Sequence, residues 1–180
     1  NFWNNEDFRG YGGNDFVNGR GGEDSASYFH AGQSGITVRM AAGTVTSSDP
    51  DVGNDTLREI EGIGGTHFAD TYDAIGYSGS STNRNSFGFD WNYFSPLGGN
   101  DTVIGNGQTI VIYSGVGGSL TVNLSGQTAL GVTSNIIAGF IADADPNSFG
   151  AGAITASGVY SVYGGNFNDT LLGGGNVNSL

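Results

Sequence analysis

Cysteine is absent, so neither a disulfide nor a zinc–thiolate centre can hold this chain together. Lysine is absent too, and 5 arginines face 17 acids, a formal charge of -12. That balance argues against nucleic acid as a partner, because binding there needs neutralising cations. No apolar run is long enough to span a membrane. No signal peptide is legible at Asn1, where the pattern is already running, so the chain is expected to be a piece of something longer. Helix signals are nearly missing. Only "DTLREIEGI", from Asp55, could form a turn or two, with Gly62, Gly64 and Gly65 closing it. Catalytic signals are missing as well. His30 and His67 are the only histidines, and they lie in different segments with no nucleophile motif beside them. No spacing supports paired-carboxylate hydrolysis, so the expectation is that this is not an enzyme.

What the chain does have is glycine, 34 residues in 180. Glycine loses the most conformational freedom on folding. With hydrophobic residues at only 37%, such a chain needs stabilisation beyond its core. The acids suggest its source. Clustered carboxylates repel one another unless a cation bridges them, and oxygen ligands select hard cations such as calcium.

The acids follow a repeat. Residues 10–18 read GYGGNDFVN and residues 19–27 read GRGGEDSAS, two adjacent nine-residue units with Asp15 and Asp24 in the sixth place. The later half of the unit returns as GNDTL from Gly53, FADTY from Phe68, GNDTV from Gly99 and FNDTL from Phe167. The eighth place is then Val17, Ala26, Leu57, Tyr72, Val103 or Leu171. Glycines let the backbone turn tightly, the Asp closes the turn, and x-apolar-x makes a short strand with one side chain pointing inward. "ITVRM", "LTVNL" and "TIVIYS" are longer strand-like runs. Stacked short strands joined by glycine turns predict an all-β, parallel β-solenoid.

A longer repeat overlies the short one. "GITVRMAAGTV" from Gly35 returns 84 residues on as "SLTVNLSGQTA", and "IGGTHFADTYDA" from Ile63 returns 99 residues on as "VYGGNFNDTLLG". The unequal offsets imply an insertion near 139–152. Two copies of one module are expected, 1–84 and 85–180. The insertion carries Asp143, Asp145 and Asn147, but Pro146 and Ser148 break the EF-hand pattern and leave a solvated loop. The aromatic run "FGFDWNYF" (Phe87 to Phe94) is expected to pack over the junction of the copies, with a sugar-binding platform as the alternative.

The nine-residue units resemble the hemolysin-type calcium-binding repeats, the RTX family, whose consensus is GGxGxDxUx. The segment from Gly35 to Thr71 is similar to modules of large bacterial surface and secreted proteins. The resemblance implies a right-handed parallel β-roll or β-helix, here degenerate because only residues 10–27 hold two full units in tandem. It implies calcium in the turns between coils. Carried over residue by residue, the ligands would be the carboxylates of Asp15, Asp24, Asp55, Asp70, Asp101 and Asp169, with the carbonyls of Gly10, Gly12, Gly19, Gly21 and Gly98 as weaker candidates. Ile154 stands where a further Asp would be expected, so one site should be missing. The resemblance further implies a secreted or surface-displayed bacterial protein with a structural role as adhesin, surface-layer or filament segment, able to associate end to end. Two alternatives stand beside it: a module binding a polysaccharide or another cell-surface ligand, and the export and folding module of a secreted toxin or hydrolase.

Overall fold

Wherever the repeat sets an Asp before x-apolar-x, the chain makes a short strand with the apolar residue inside. Val17, Ala26, Leu57, Tyr72 and Val103 are all buried, and Leu171 is half-buried against the core. The computed structural model describes residues 5–85, 87–113, 120–123, 136–139 and 153–173. Among them the strands are, in chain order, β1 (Asp7–Phe8), β2 (Phe16–Asn18), β3 (Ser25–Ser27), β4 (Thr37–Arg39), β5 (Thr44–Thr46), β6 (Asn54–Arg58) and β7 (Gly62–Gly64). They continue with β8 (Thr71–Asp73), β9 (Asn92–Ser95), β10 (Thr102–Ile112), β11 (Leu120–Asn123), β12 (Ile136–Gly139), β13 (Ala153–Tyr163) and β14 (Thr170–Leu172). There is no helix among the described residues.

All of these strands belong to one sheet, whose main path runs β1-β3-β7-β9-β10-β8-β4-β5-β6-β2. β1 and β2 are consecutive in the chain yet stand at opposite ends of that path, so the sheet curls until its ends nearly meet, like a barrel. On one side β1, β3, β7 and β9 pair in parallel, in a register that sets Asp7, Ser25, Gly62 and Tyr93 in one row. On the other side β4, β8 and the start of β10 pair in parallel, with Thr37, Thr71 and Thr102 in one row. β10 belongs to both sides: Thr102–Ile104 pairs with β8 and Thr109–Val111 with β9, and the register slips in between. The same strand pairs along its length with β13, and the β7–β9 and β8–β10 pairings carry the sheet across the expected boundary at residue 84. Residues 140–152, most of the expected insertion, lie outside the described residues.

The all-β expectation holds, but the pairing is mixed rather than uniformly parallel. β4, β5 and β6 form an antiparallel run, as do β11, β12 and β13. The expected helical turn in "DTLREIEGI" is replaced by two strands. Asn54–Arg58 alternates exposed and buried residues with the period of a strand, and Glu59 at φ 51 turns the chain into β7. Leu57, Ile60 and Ile63 all go to the interior. There they meet Val38, Val45, Phe94, Val111 and Val162. Tyr72 stacks on Phe94 at 5.0 Å and gives its hydroxyl to Asn92 Oδ1 at 2.9 Å.

Candidate functional site: ladders of buried carboxylates

Five of the acids at strand starts reach across to the backbone of the neighbouring coil. Asp55 Oδ1 accepts the N–H of Asp15 at 2.9 Å. Asp101 Oδ1 accepts the N–H of Asp70 at 2.9 Å, and Asp70 Oδ1 accepts that of Ile36 at 2.9 Å. On the opposite side Glu61 Oε2 accepts the N–H of Asp24 at 2.8 Å, and Asp24 Oδ1 accepts that of Glu6 at 2.8 Å. Carboxylates thus climb both sides of the sheet, each bonded to the rung before it. The tandem residues Asp15 and Asp24 part company here: one opens β2 and the other β3, on different ladders. Ile154 holds the register position beyond Asp101 and brings no carboxylate to it, so the ladder stops there.

Glycine makes room for the acids. A Cβ at Gly19 would strike both the Asp24 carboxylate and the carbonyl oxygen of Glu59, so only glycine fits beneath them. The same relation, a glycine five residues before the Asp and against its outer oxygen, joins Gly10 to Asp15, Gly65 to Asp70 and Gly164 to Asp169. The other expected backbone ligands are scattered. Gly12 packs on the Pro50 carbonyl, Gly21 is exposed with nothing near it, and the N–H of Gly98 donates to the Thr66 carbonyl at 3.2 Å. In the repeat's second place, Tyr11 and Arg20 hold φ values of 61 and 67, a left-handed conformation that L-residues seldom adopt.

These carboxylates are out of water. Asp24, Asp55, Glu61, Asp70 and Asp101 are each between 0 and 3% exposed. Burial pushes Asp70 up to about 6, against the pull of its bonds from Thr66 and Ile36. Burial, with the neighbouring charges of Glu6 and Glu23, pushes Asp24 up to about 6. Burial, with the charge of Asp24, takes Glu61 to about 7. Burial, with the charge of Asp70, takes Asp101 to about 8. Four of the ladder's buried oxygens have no hydrogen-bond partner: Asp15 Oδ2, Asp24 Oδ2, Glu61 Oε1 and Asp101 Oδ2. Buried acceptors in that state are costly and rare.

Core tyrosines back the acids. Tyr28 donates its hydroxyl to Asp55 Oδ2 at 3.0 Å. Tyr77 feels the charge of Glu61 and Tyr113 that of Asp101, and both hydroxyls are buried without a partner of their own.

Six sequence-marked acids find their places at strand starts, but Glu61 escaped notice because it lies outside every nine-residue unit. Its signal was the offset alone: it precedes β7 as Asp24 precedes β3. Asp49 escaped as well. It is buried in the turn after β5, where Oδ2 accepts the N–H groups of Gly32 at 2.9 Å, Gln33 at 2.7 Å and Ser34 at 3.3 Å, and Oδ1 that of Asp51 at 2.9 Å. Burial works against its ionisation, yet these backbone donors win and hold its carboxyl below the ordinary range. Asp49 is a satisfied anion and needs no further ligand.

Asp15, Asp24, Glu61 and Asp101 are the reverse, and their partnerless buried oxygens suit a proton or a hard cation. Among the described residues no three His, Asp or Glu side chains gather at one point, so a cation here would draw on carbonyls such as that of Glu59 besides one or two carboxylates. A scan of family models finds no match for this chain, and searches of curated proteins and of solved structures find none either.

Proposed function

We propose that this chain is a calcium-stabilised, RTX-like structural segment of a secreted or surface-displayed bacterial protein. Its coils would follow a right-handed solenoid path interrupted by antiparallel hairpins, since parallel strands joined by crossovers take the right hand in nearly all cases. One observation carries the reading. Two ladders of buried carboxylates hold four oxygens without partners, in a chain of net charge -12. Asp24 and Glu61 with the Glu59 carbonyl, Asp15 with Asp55, and Asp70 with Asp101 are the pairs that would hold the ions. Asp169 would serve a further coil.

Calcium bridging these pairs would remove the repulsion and complete the coordination of the orphaned oxygens. Extracellular calcium modules bind at roughly 10⁻⁴–10⁻³ M, so the segment would fold after export and not before. A site filled at a hundred times its Kd contributes about 2.7 kcal/mol, and a few such sites would govern the folding of a marginal domain. On this reading the segment extends, spaces or assembles and catalyses nothing itself.

The test is circular dichroism of metal-free protein titrated with calcium, with magnesium as control. A calcium-specific rise in β signal and Tm between micromolar and millimolar is expected. Full β structure and an unchanged Tm in chelator and in calcium would overturn the proposal and leave the ladders as protonated, purely structural carboxyls.

A further inference from the structure

The aromatic run is not buried at a junction. Phe94 enters the core, whereas Phe87 and Phe89 are exposed and Trp91 and Tyr93 half-exposed. Trp91, the residue before β9, and Tyr93 within it flank the buried Asn92, so both stand on the outer face of the sheet. Their rings are parallel to within 10° with centroids 6.5 Å apart. The Tyr93 ring packs against Gly62, where any Cβ would collide with it. Beside the pair, Gly88, Phe89, Asp90, Trp91 and Gln108 line an open groove of about 270 Å³. From this, we propose that the outer face around Trp91 binds a neutral polysaccharide chain.

The groove is held in shape from below. Asn92, wholly buried, donates Nδ2 to the Asp90 carbonyl at 3.0 Å while its Oδ1 accepts the hydroxyls of Tyr72 at 2.9 Å and Thr109 at 2.8 Å. Asn106 Nδ2 donates to the same Asp90 carbonyl at 2.7 Å and to that of Tyr77 at 3.0 Å. The Asp90 carboxylate accepts the Gly79 N–H at 3.2 Å. The backbone that carries the aromatic platform is therefore tied down before any ligand arrives, which lowers the entropic cost of binding.

The chemistry on offer selects the ligand class. β7 and β9 are paired on both sides, so their backbones cannot take up a peptide strand. Asp90 lies in the groove and the whole chain is strongly acidic, which disfavours an anionic polymer. What remains are two parallel ring faces, a carboxylate and an exposed amide at Gln108. Sugar rings match them: flat C–H faces stack on aromatic rings while hydroxyls at the rim bond to Asp90 and Gln108. On β3, in register with Gly62 and Gly64, Ser25 and Ser27 donate their hydroxyls to Asp7 Oδ1 at 2.9 Å and 2.5 Å, a polar continuation along which an extended chain could lie.

The experiment is affinity electrophoresis of the whole chain in native gels containing mixed-linkage glucan, xylan, galactomannan or dextran, with polygalacturonate as the anionic control. Calcium is present throughout and folding is checked by circular dichroism, so that loss of binding is separated from loss of fold. Retardation by at least one neutral polymer and none by polygalacturonate is expected. Trp91→Ala should weaken it about tenfold, Trp91→Phe should retain most of it, and Gln108→Ala should weaken it with Tm unchanged. No retardation by any neutral polymer would overturn the proposal. So would equal retardation by polygalacturonate, unchanged retardation of a folded Trp91→Ala, or, should Trp91→Ala not fold, retardation indifferent to Gln108→Ala.

Discussion

A single oxygen illustrates what the repeat does at the scale of a residue. Asp101 Oδ1 bonds the Asp70 N–H, but Oδ2 lies buried with no partner. Asparagine in its place would keep the acceptor and remove the charge. Asp101→Asn is therefore expected to stabilise the metal-free protein at pH 8 by about 1–3 kcal/mol, because the buried charge it removes costs more than the unpaired amide nitrogen that replaces Oδ2. In a chain of this length that is a Tm rise of about 2–4 °C per kcal/mol. The calcium-induced rise in Tm should shrink in the same variant. Thermal scans in chelator and in calcium read both; a Tm lowered equally in the two buffers would show that the carboxylate's charge is neither a cost nor a ligand. The sixth-place Asp was legible in the sequence because glycine and an apolar residue flank it. Glu61 was not, because its register with Asp24 is made by a coil of irregular length that no fixed period describes.

Elements show where periodicity fails. The sequence holds two nine-residue units in tandem only over residues 10–27, and the one eighteen-residue step in the register, Asp7 to Ser25, starts before them. The next coils on the ladders span 37 and 40 residues, Asp24 to Glu61 and Asp15 to Asp55, because the hairpin β4–β5 is spliced between β3 and β6. Strand patterning announced β4 in "ITVRM", yet pairing direction lies in turns and contacts and not in composition. Asp49 anchors the hairpin, gathering four N–H groups from residues 32–34 and 51. Asp49→Ala would leave those donors without their acceptor. A loss of about 2–4 kcal/mol is expected, from the charge-assisted bonds lost and the donors stranded. Amide exchange should quicken at Gly32, Gln33 and Ser34 before it does in β7 or β9. Uniform protection across the sheet in that variant would mean the hairpin is held by its strand pairing alone.

For the whole molecule, the two kinds of buried acid pull stability in opposite directions with pH, and the difference separates a proton from a cation. Asp24 and Asp70 at about 6, Glu61 at about 7 and Asp101 at about 8 bind protons more tightly folded than unfolded, where carboxyls titrate near 4. Their contribution is fully present below the unfolded value and is lost as pH rises through the folded values, from about 4 to about 8. Asp49, held low by its donors, contributes above the unfolded value and loses that contribution as pH falls below it. In chelator the ladders outnumber Asp49, so Tm should fall as pH is raised from 5 to 8. A bound cation needs ionised carboxylates, so protons compete with it and calcium's stabilisation should grow over the same range. The two Tm curves, in chelator and in calcium, are expected to meet near pH 5 and to diverge toward pH 8. If they run parallel across that range, calcium does not act through the ladder acids, and the fold is held together by its protons and its core.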